Sequence, residues 1–426
     1  MEQYRLVTLD PGHFHASLFQ KEPLPGVANE SYVYAPVSAD LAAHLNRIAL
    51  FNNRSVNPTN WTLRVYAGED WFDRMLADRP GTIAVLSGRN NGKIDRMLTL
   101  AKAGMHGLAD KPWVIEPEDL PKIEKVIAAA KSNKVVFYDG MTQRYEITSA
   151  VLRALVNDPE VFGEVVEGSA SDPAVYMESV HHLLKLVAGV PNRRPPWFFD
   201  TREQGEALTD VGTHLVDLVQ WTLLPEKPIA AEQDIRMIEG RRWPTVLSIE
   251  DFQKVTGEGA FPPYLSGAVQ QNKLHYFCNN SVTYALRRVH VKLDVLWAFE
   301  APAGHGDTEF ALYRGTKARI EVRNDELNVF PVEGARKPEI EAALRRAVAT
   351  HSQQWPGLSV EETAEGFHVL IPAALRTGHE AHFAMVANQF LSYVENPESL
   401  PEWEVGFLKA KYFVTTQGVA MARRRT

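Results

Sequence analysis

The chain has 426 residues, of which 45% are apolar and 23% charged, with a net charge of −8 at pH 7. That length allows two domains that each bury a core. The charge balance, with no basic block larger than Arg423-Arg424-Arg425, disfavours nucleic acid or an anionic membrane as the main partner.

A single cysteine, Cys278, excludes an intrachain disulfide framework and a cysteine-cluster metal site, and is expected to pack as a small buried hydrophobe. No stretch approaches the length of a transmembrane span. The N-terminus enters a strand almost at once, without the features of a signal peptide, so a cytoplasmic location is expected.

Residues 4–9 read as a buried strand. Asp10-Pro11-Gly12 makes a turn, and a helix starts at His13. In a strand–turn–helix unit, this turn is where a nucleotide pyrophosphate would meet free backbone N–H groups. The same loop permits a rival reading. His13-x-His15 after a first strand resembles the metal-binding H-x-H of amidohydrolase barrels, which need further ligands at later strand ends. No regular run of eight βα units supports that barrel, and no bound metal is expected.

Residues 31–34 form a second strand, followed by Ala35-Pro36-Val37-Ser38 where a ribose-binding acid would stand. Asp40 comes late. The absence of Arg or Lys there favours NAD over NADP. Residues 52–60 form a polar insertion. The strand–helix alternation then resumes, with strands at 63–66, 82–86, 105–109 and 135–138 and helices at 69–77, 95–103 and 116–132. This order predicts a doubly wound parallel sheet. Lys111, in Asp110-Lys111-Pro112, falls at the carboxyl end of a parallel strand, where such sheets bind ligands. A lone lysine there is usually surface charge.

After residue 140 the pattern changes. Strand-like runs dominate at 164–171, 229–239, 266–277, 289–299, 309–313, 318–322 and 327–331, with helices expected around 178–187, 210–223, 338–349 and 382–395. Val289, Val291, Leu293, Val295 and Trp297 alternate with more polar residues, as in a half-covered antiparallel strand. Within 210–223, Asp210, His214 and Asp217 line one side of a helix. A carboxylate one turn before an imidazole can orient it for acid/base work. Asp217 reads as structural. The His181-His182-Lys185 group reads more readily as a surface or capping feature, and Arg193-Arg194 more readily as meeting a neighbouring acidic patch than a bound carboxylate.

Three segments carry a family resemblance: Ala103–Trp113, read A-G-M-H-G-L-A-D-K-P-W; Trp197-Phe198-Phe199-Asp200; and Asp210 to Asp217, read D-V-G-T-H-L-V-D. Together they resemble the Gfo/Idh/MocA family of NAD(P)-dependent sugar oxidoreductases, whose members carry E-K-P, W-x-x-D and D-x-G-x-H-x-x-D. The chain departs from that family at the first turn, where only Gly12 of G-x-G-x-x-G remains and Asp10 and His15 replace the flanking glycines. Ser87-Gly88-Arg89 replaces T-P-N after the fourth strand. Of the glycine cluster before Asp210, only Gly205 remains, with Glu206 after it.

The resemblance implies a Rossmann-like domain at 1–145 and an α+β domain with an open, mainly antiparallel sheet at 146–426, joined near 140–146. It implies NAD as cofactor, with NADP as the alternative, held by Asp10, Gly12, His13, His15, Ser87, Arg89, Asn90, Asp110 and Lys111. Catalysis would fall to Lys111, Asp210 and His214. Substrate contacts would come from Gln143, Arg144, His181, Trp197, Asp210 and His214. The expected substrate is a sugar, glycoside or cyclitol, and the expected assembly is a homodimer or homotetramer through the second sheet. The alternatives are redox-neutral cleavage or epimerisation with retained NAD, a non-catalytic sugar sensor, and the metal hydrolase.

Overall fold

The computed structural model describes residues 4–187, 190–191, 193–302 and 306–425. They divide into two compact units, one of residues 4–142, 202–204 and 378–402, the other of the remainder.

The first unit is built on a six-stranded parallel sheet of β1 (Leu6–Leu9), β2 (Glu30–Ala35), β3 (Thr62–Ala67), β4 (Ile83–Leu86), β5 (His106–Ala109) and β6 (Phe137–Asp139). Its order is β3-β2-β1-β4-β5-β6, so the chain reverses direction between β1 and β4. In such a sheet the crevice outside that reversal is where ligands bind. Every residue of β1 and β4 is buried, as expected of central strands covered on both faces. This doubly wound order excludes the amidohydrolase-type barrel. Helix His379–Glu395 belongs to this unit and not with the sheet that precedes it in sequence.

The second unit contains β7 (Val175–Leu184), β8 (Leu186–Val187), β9 (Val190–Pro191), β10 (Ile235–Leu247), β11 (Val269–Gln270), β12 (Lys273–Leu286), β13 (Val289–Glu300), β14 (Thr308–Arg314), β15 (Ala318–Arg323), β16 (Glu326–Pro331), β17 (Ser359–Glu362) and β18 (Phe367–Leu370). The main sheet runs β10-β12-β13-β7-β14-β15-β16-β18-β17, with β11 beside β12 and a separate β8-β9 hairpin. All neighbours on this path are antiparallel except β13 and β7. β13 buries Val291, Leu293, Val295 and Trp297, the alternation its sequence predicts.

Three sequence expectations are corrected. Residues 178–187, expected as a helix, fall in β7 and β8, because β7 is the strand that closes the sheet between β13 and β14. Residues 164–171 make only isolated bridges, Val165 to Gly315 and Gly168 to Pro173. The strand expected at 229–239 runs instead over β10, paired along its length with β12. Cys278 is free and fully buried, and burial raises its thiol pKa to about 12. Among the described residues, no helix is long and apolar enough to cross a membrane.

Candidate functional site

In the first unit, the turn after β1 is tighter than a phosphate-binding turn. Asp10 takes a left-handed φ of 42°. The Gly12 N–H donates to the Asp10 carbonyl at 2.7 Å, and the His13 N–H donates to the Ser87 carbonyl at 3.1 Å. Gly88 presses on this turn, since a Cβ there would stand 2.2 Å from the Asp10 carbonyl oxygen. The helix that follows is only His15–Leu18. Backbone donors expected to be free for pyrophosphate are therefore already used. Positive charge is nearby in side chains: burial raises the Asp10 carboxyl pKa, and Arg89 and Arg96 act to lower it. The positive charge at this edge comes from arginine side chains, and the turn offers no glycine cradle.

The imidazoles expected at that turn point elsewhere. His15 Nδ1 lies 3.0 Å and His13 Nδ1 3.4 Å from Asp110 Oδ2. Ser87 Oγ donates to the same oxygen at 2.9 Å. Burial, then His13, lowers the His15 pKa to about 3, which leaves its ring neutral. Burial works against the Asp110 carboxylate, but the adjoining imidazoles outweigh it and hold that group well below the usual range. The His15 ring also packs against Phe383, at 4.5 Å, and lies 5.8 Å from the His379 ring.

Lys111 follows β5 and is only 8% exposed. Its peptide bond to Pro112 is cis. Lys93, which sequence reasoning passed over, fixes this segment. Its buried ammonium donates to the carbonyls of Asp110 at 2.9 Å and Pro112 at 3.0 Å, and to Asn90 Oδ1 at 2.7 Å. Burial lowers its pKa to about 8. Asn90 is held in turn by the Gln204 carbonyl, 2.8 Å from its Nδ2, so its side chain is structural here. The sequence signal for Lys93 was a charged residue opening an apolar helix, Lys93–Lys102, at its buried end.

In the second unit, Asp210 ends the short helix Ala207–Asp210, and His214 lies in the first turn of Gly212–Leu223. Both are buried, at 5% and 7% exposure. Gly212 is closely packed: a Cβ would come 2.8 Å from Leu208 Cδ1 and 3.3 Å from Val295. Thr213 Oγ1 donates to the Asp210 carbonyl at 2.6 Å. Trp197 is buried in the 3-10 turn Pro196–Phe199. Beside it, Arg194 is not a surface residue, since its guanidinium lies 4.6 Å from the Phe198 ring centre and 4.4 Å from that of Trp297.

His181 stands on β7 against Trp297, ring centres 4.9 Å apart, with Nδ1 3.0 Å from Asp307. His182 and Lys185 also reach Asp307. Burial notwithstanding, the bond and charge of His181, with Lys185, hold the Asp307 carboxyl well below its ordinary value. Gln143 donates to Glu309 at 2.9 Å, beside a pocket lined by Leu152, Met177, Leu215 and Phe310.

Arg144 serves a different end from the substrate contact expected of it. Its Nε and Nη2 meet both oxygens of Asp217 at 2.6 and 2.8 Å, and Nη1 meets both oxygens of Glu404 at 2.9 Å. Lys411 adds a contact of 3.4 Å to Asp217. Asp217 is thus the hub of a buried ion-pair network, and Arg144 is spent on it.

The comparisons bear on these arrangements. A family model described as "Putative oxidoreductase C terminal domain" matches residues 151–423. The crystal structure of a protein described as a "putative oxidoreductase", from Parabacteroides merdae, shares 41% identity, with 100% of this chain and 98% of that one covered and a TM-score of 0.97. The chain belongs to the Gfo/Idh/MocA family of oxidoreductases. More distant structures share this fold. Levoglucosan dehydrogenase in complex with NADH and levoglucosan has a TM-score of 0.60 at 13% identity, covering 99% of this chain and 97% of that one. GenD2 from gentamicin A biosynthesis, in complex with NAD, has a TM-score of 0.59 at 16% identity, covering 100% and 96%. No curated protein matches by sequence. As a Gfo/Idh/MocA protein the chain is an oxidoreductase, with the six-stranded parallel sheet and the mainly antiparallel second sheet of that family.

Proposed function

We propose that this Gfo/Idh/MocA oxidoreductase uses NAD to oxidise a CH–OH group, or reduce the matching carbonyl, of a sugar, glycoside or cyclitol. The observation that carries the reading is the burial of Lys111. A surface-charge lysine would extend into water, whereas this one is 8% exposed after β5, on a segment held by two hydrogen bonds from Lys93. Confining a cation costs free energy that a role in polarising a reacting oxygen would justify. The NAD and NADH complexes of GenD2 and levoglucosan dehydrogenase support the choice of cofactor, and the second of them supports the substrate class.

Bound NAD supplies the hydride acceptor. Arg89 and Arg96 meet its phosphate charge. Lys111 donates to the hydroxyl oxygen that becomes the carbonyl oxygen. His214 takes that oxygen's proton as the carbinol hydrogen leaves with its electron pair, and Asp210 binds substrate and supports the imidazolium. The cytoplasm is the proposed location, and a homodimer or homotetramer the proposed assembly.

The test is NADH formation from a panel of sugars and cyclitols by wild type, Lys111→Met and His214→Asn, with NAD binding measured separately. Both variants are expected to retain NAD and lose turnover by about 10²–10⁴-fold, the usual range for a lost acid/base group. Wild-type turnover and an unchanged pH profile in His214→Asn would overturn the mechanism. NAD released only on denaturation, without net NADH formation, would point to redox-neutral chemistry instead.

A further inference from the structure

We propose that His13, His15 and Asp110 form a binding site for a first-row divalent cation, zinc foremost, within the first unit. The site is independent of the sugar-oxidising reading.

One ligand atom from each of the three residues lies within 4.8 Å of the other two. The contacts of 3.0 and 3.4 Å from the imidazoles to Asp110 Oδ2 have a specific meaning. Donors each about 2.1 Å from one ion stand roughly 3.0–3.4 Å apart at octahedral and tetrahedral angles, so both imidazoles already stand at ligand spacing from the carboxylate, with a small shift left to bring the imidazoles, within 4.8 Å of each other, onto one ion. Ordinary hydrogen bonding accounts less well for the carboxylate. Its Oδ2 receives His13, His15 and Ser87 together, while the buried Oδ1 has no partner. An orphaned carboxylate oxygen in a 3% exposed residue is costly, and a cation bound by both oxygens would satisfy it.

The surroundings fit as well. Ser87 supplies an outer hydrogen bond that orients the carboxylate, as metal-bound carboxylates are commonly held. Phe383 makes a dry wall against His15. The His379 ring stands nearby, 5.8 Å from that of His15. The His13 side chain is 21% exposed, which gives an entry path. Two imidazoles and one carboxylate select zinc and its transition-metal neighbours over magnesium, which prefers oxygen and water. The backbone of this turn is internally bonded, and its histidines face a carboxylate.

The experiment dialyses the full-length protein against zinc, and in parallel against magnesium, then measures metal per chain and titrates zinc against a competing chelator. Wild type is expected to hold about one zinc and no magnesium, and Ser87→Ala to bind zinc 10–100-fold more weakly. His13→Ala and His15→Ala are expected to lose stoichiometric zinc while keeping the wild-type circular dichroism. Cobalt substituted into wild type should give an absorption spectrum distinct from the aqueous ion, a readout that needs no variant. Equal zinc uptake by wild type and the histidine variants, or an aqueous-type cobalt spectrum, would overturn the site. Neither result depends on which sugar is oxidised, or on whether one is.

Discussion

Lys93 and Asp110 are joined through main chain: the buried ammonium donates to the Asp110 carbonyl at 2.9 Å, while the charge of the Asp110 carboxylate acts on it without a hydrogen bond. The carboxylate is thereby left to the two histidines, and the Asp110-Lys111-Pro112 segment is fixed by the amine. Lys93→Met keeps the volume and removes the donors. It should leave the carbonyls of Asp110 and Pro112 unmet and cost about 2–6 kcal/mol of stability, at about 1–3 kcal/mol for each unsatisfied group. Urea unfolding measures this, and turnover should fall even under conditions where the variant remains folded.

Gly88→Ala should be disproportionately harmful for one methyl group. The added Cβ meets main chain, the Asp10 carbonyl at 2.2 Å, which cannot rotate away as a side chain would. Displacement of the turn after β1 should cost about 1–3 kcal/mol. It should also weaken NAD binding, which isothermal titration would detect. Equal affinity would separate the nucleotide from this turn.

Arg144→Met should act on stability before it acts on substrate. It strands Asp217 and Glu404 with Lys411 as the remaining cation, and breaking a buried pair by removing one partner typically costs about 3–5 kcal/mol. The expected result is a lower unfolding midpoint with the KM of the folded fraction unchanged. A raised KM at full stability would return Arg144 to the substrate.

His44 should make the protein acid-sensitive. It is 1% exposed in helix Ala39–Asn53, neither ring nitrogen has a partner, and burial, then Arg47, lowers its pKa to about 4. The unfolded chain takes up this proton below about pH 6.5, the folded one only below about 4. The stability contribution is therefore fully present above pH 6.5 and is lost as pH falls to 4, by up to about 3 kcal/mol. His44→Leu should flatten that loss in urea midpoints taken between pH 7.5 and 4.5. His15 and His379, also depressed, should leave a residual slope.

The first sheet was legible because each of its strands is a short apolar run bounded by turn residues and followed by a helix. Lys111, Asp210 and His214 stood out as candidates only through the motifs around them. What escaped was set by distant partners. His181 and His182 sit in H-H-L-L-K-L-V, whose leucines recur at helical spacing, yet pairing with β13 and β14 makes the segment a strand. Lys93 has no local reason to be buried, because its acceptors lie on another segment. Arg144 precedes a helix, as a capping or substrate residue would, but Asp217 and Glu404 come from helices far along the chain.

The parallel seam between β7 and β13 bears on how the second sheet forms. β12 and β13 are joined by a tight turn, and β14, β15 and β16 follow one another as a meander, so each group can assemble from near neighbours in sequence. β7 alone must find partners remote in the chain on both sides, Val175 aligning with Val291 and with Tyr313. Closing such long loops is slow, since the entropy is lost before any contact is gained. β7 is thus expected to be seated last, as the keystone of the sheet. Amide exchange during refolding should protect the β12–β13 hairpin and the meander first, and β7, with its histidine pair, only as the two halves lock together.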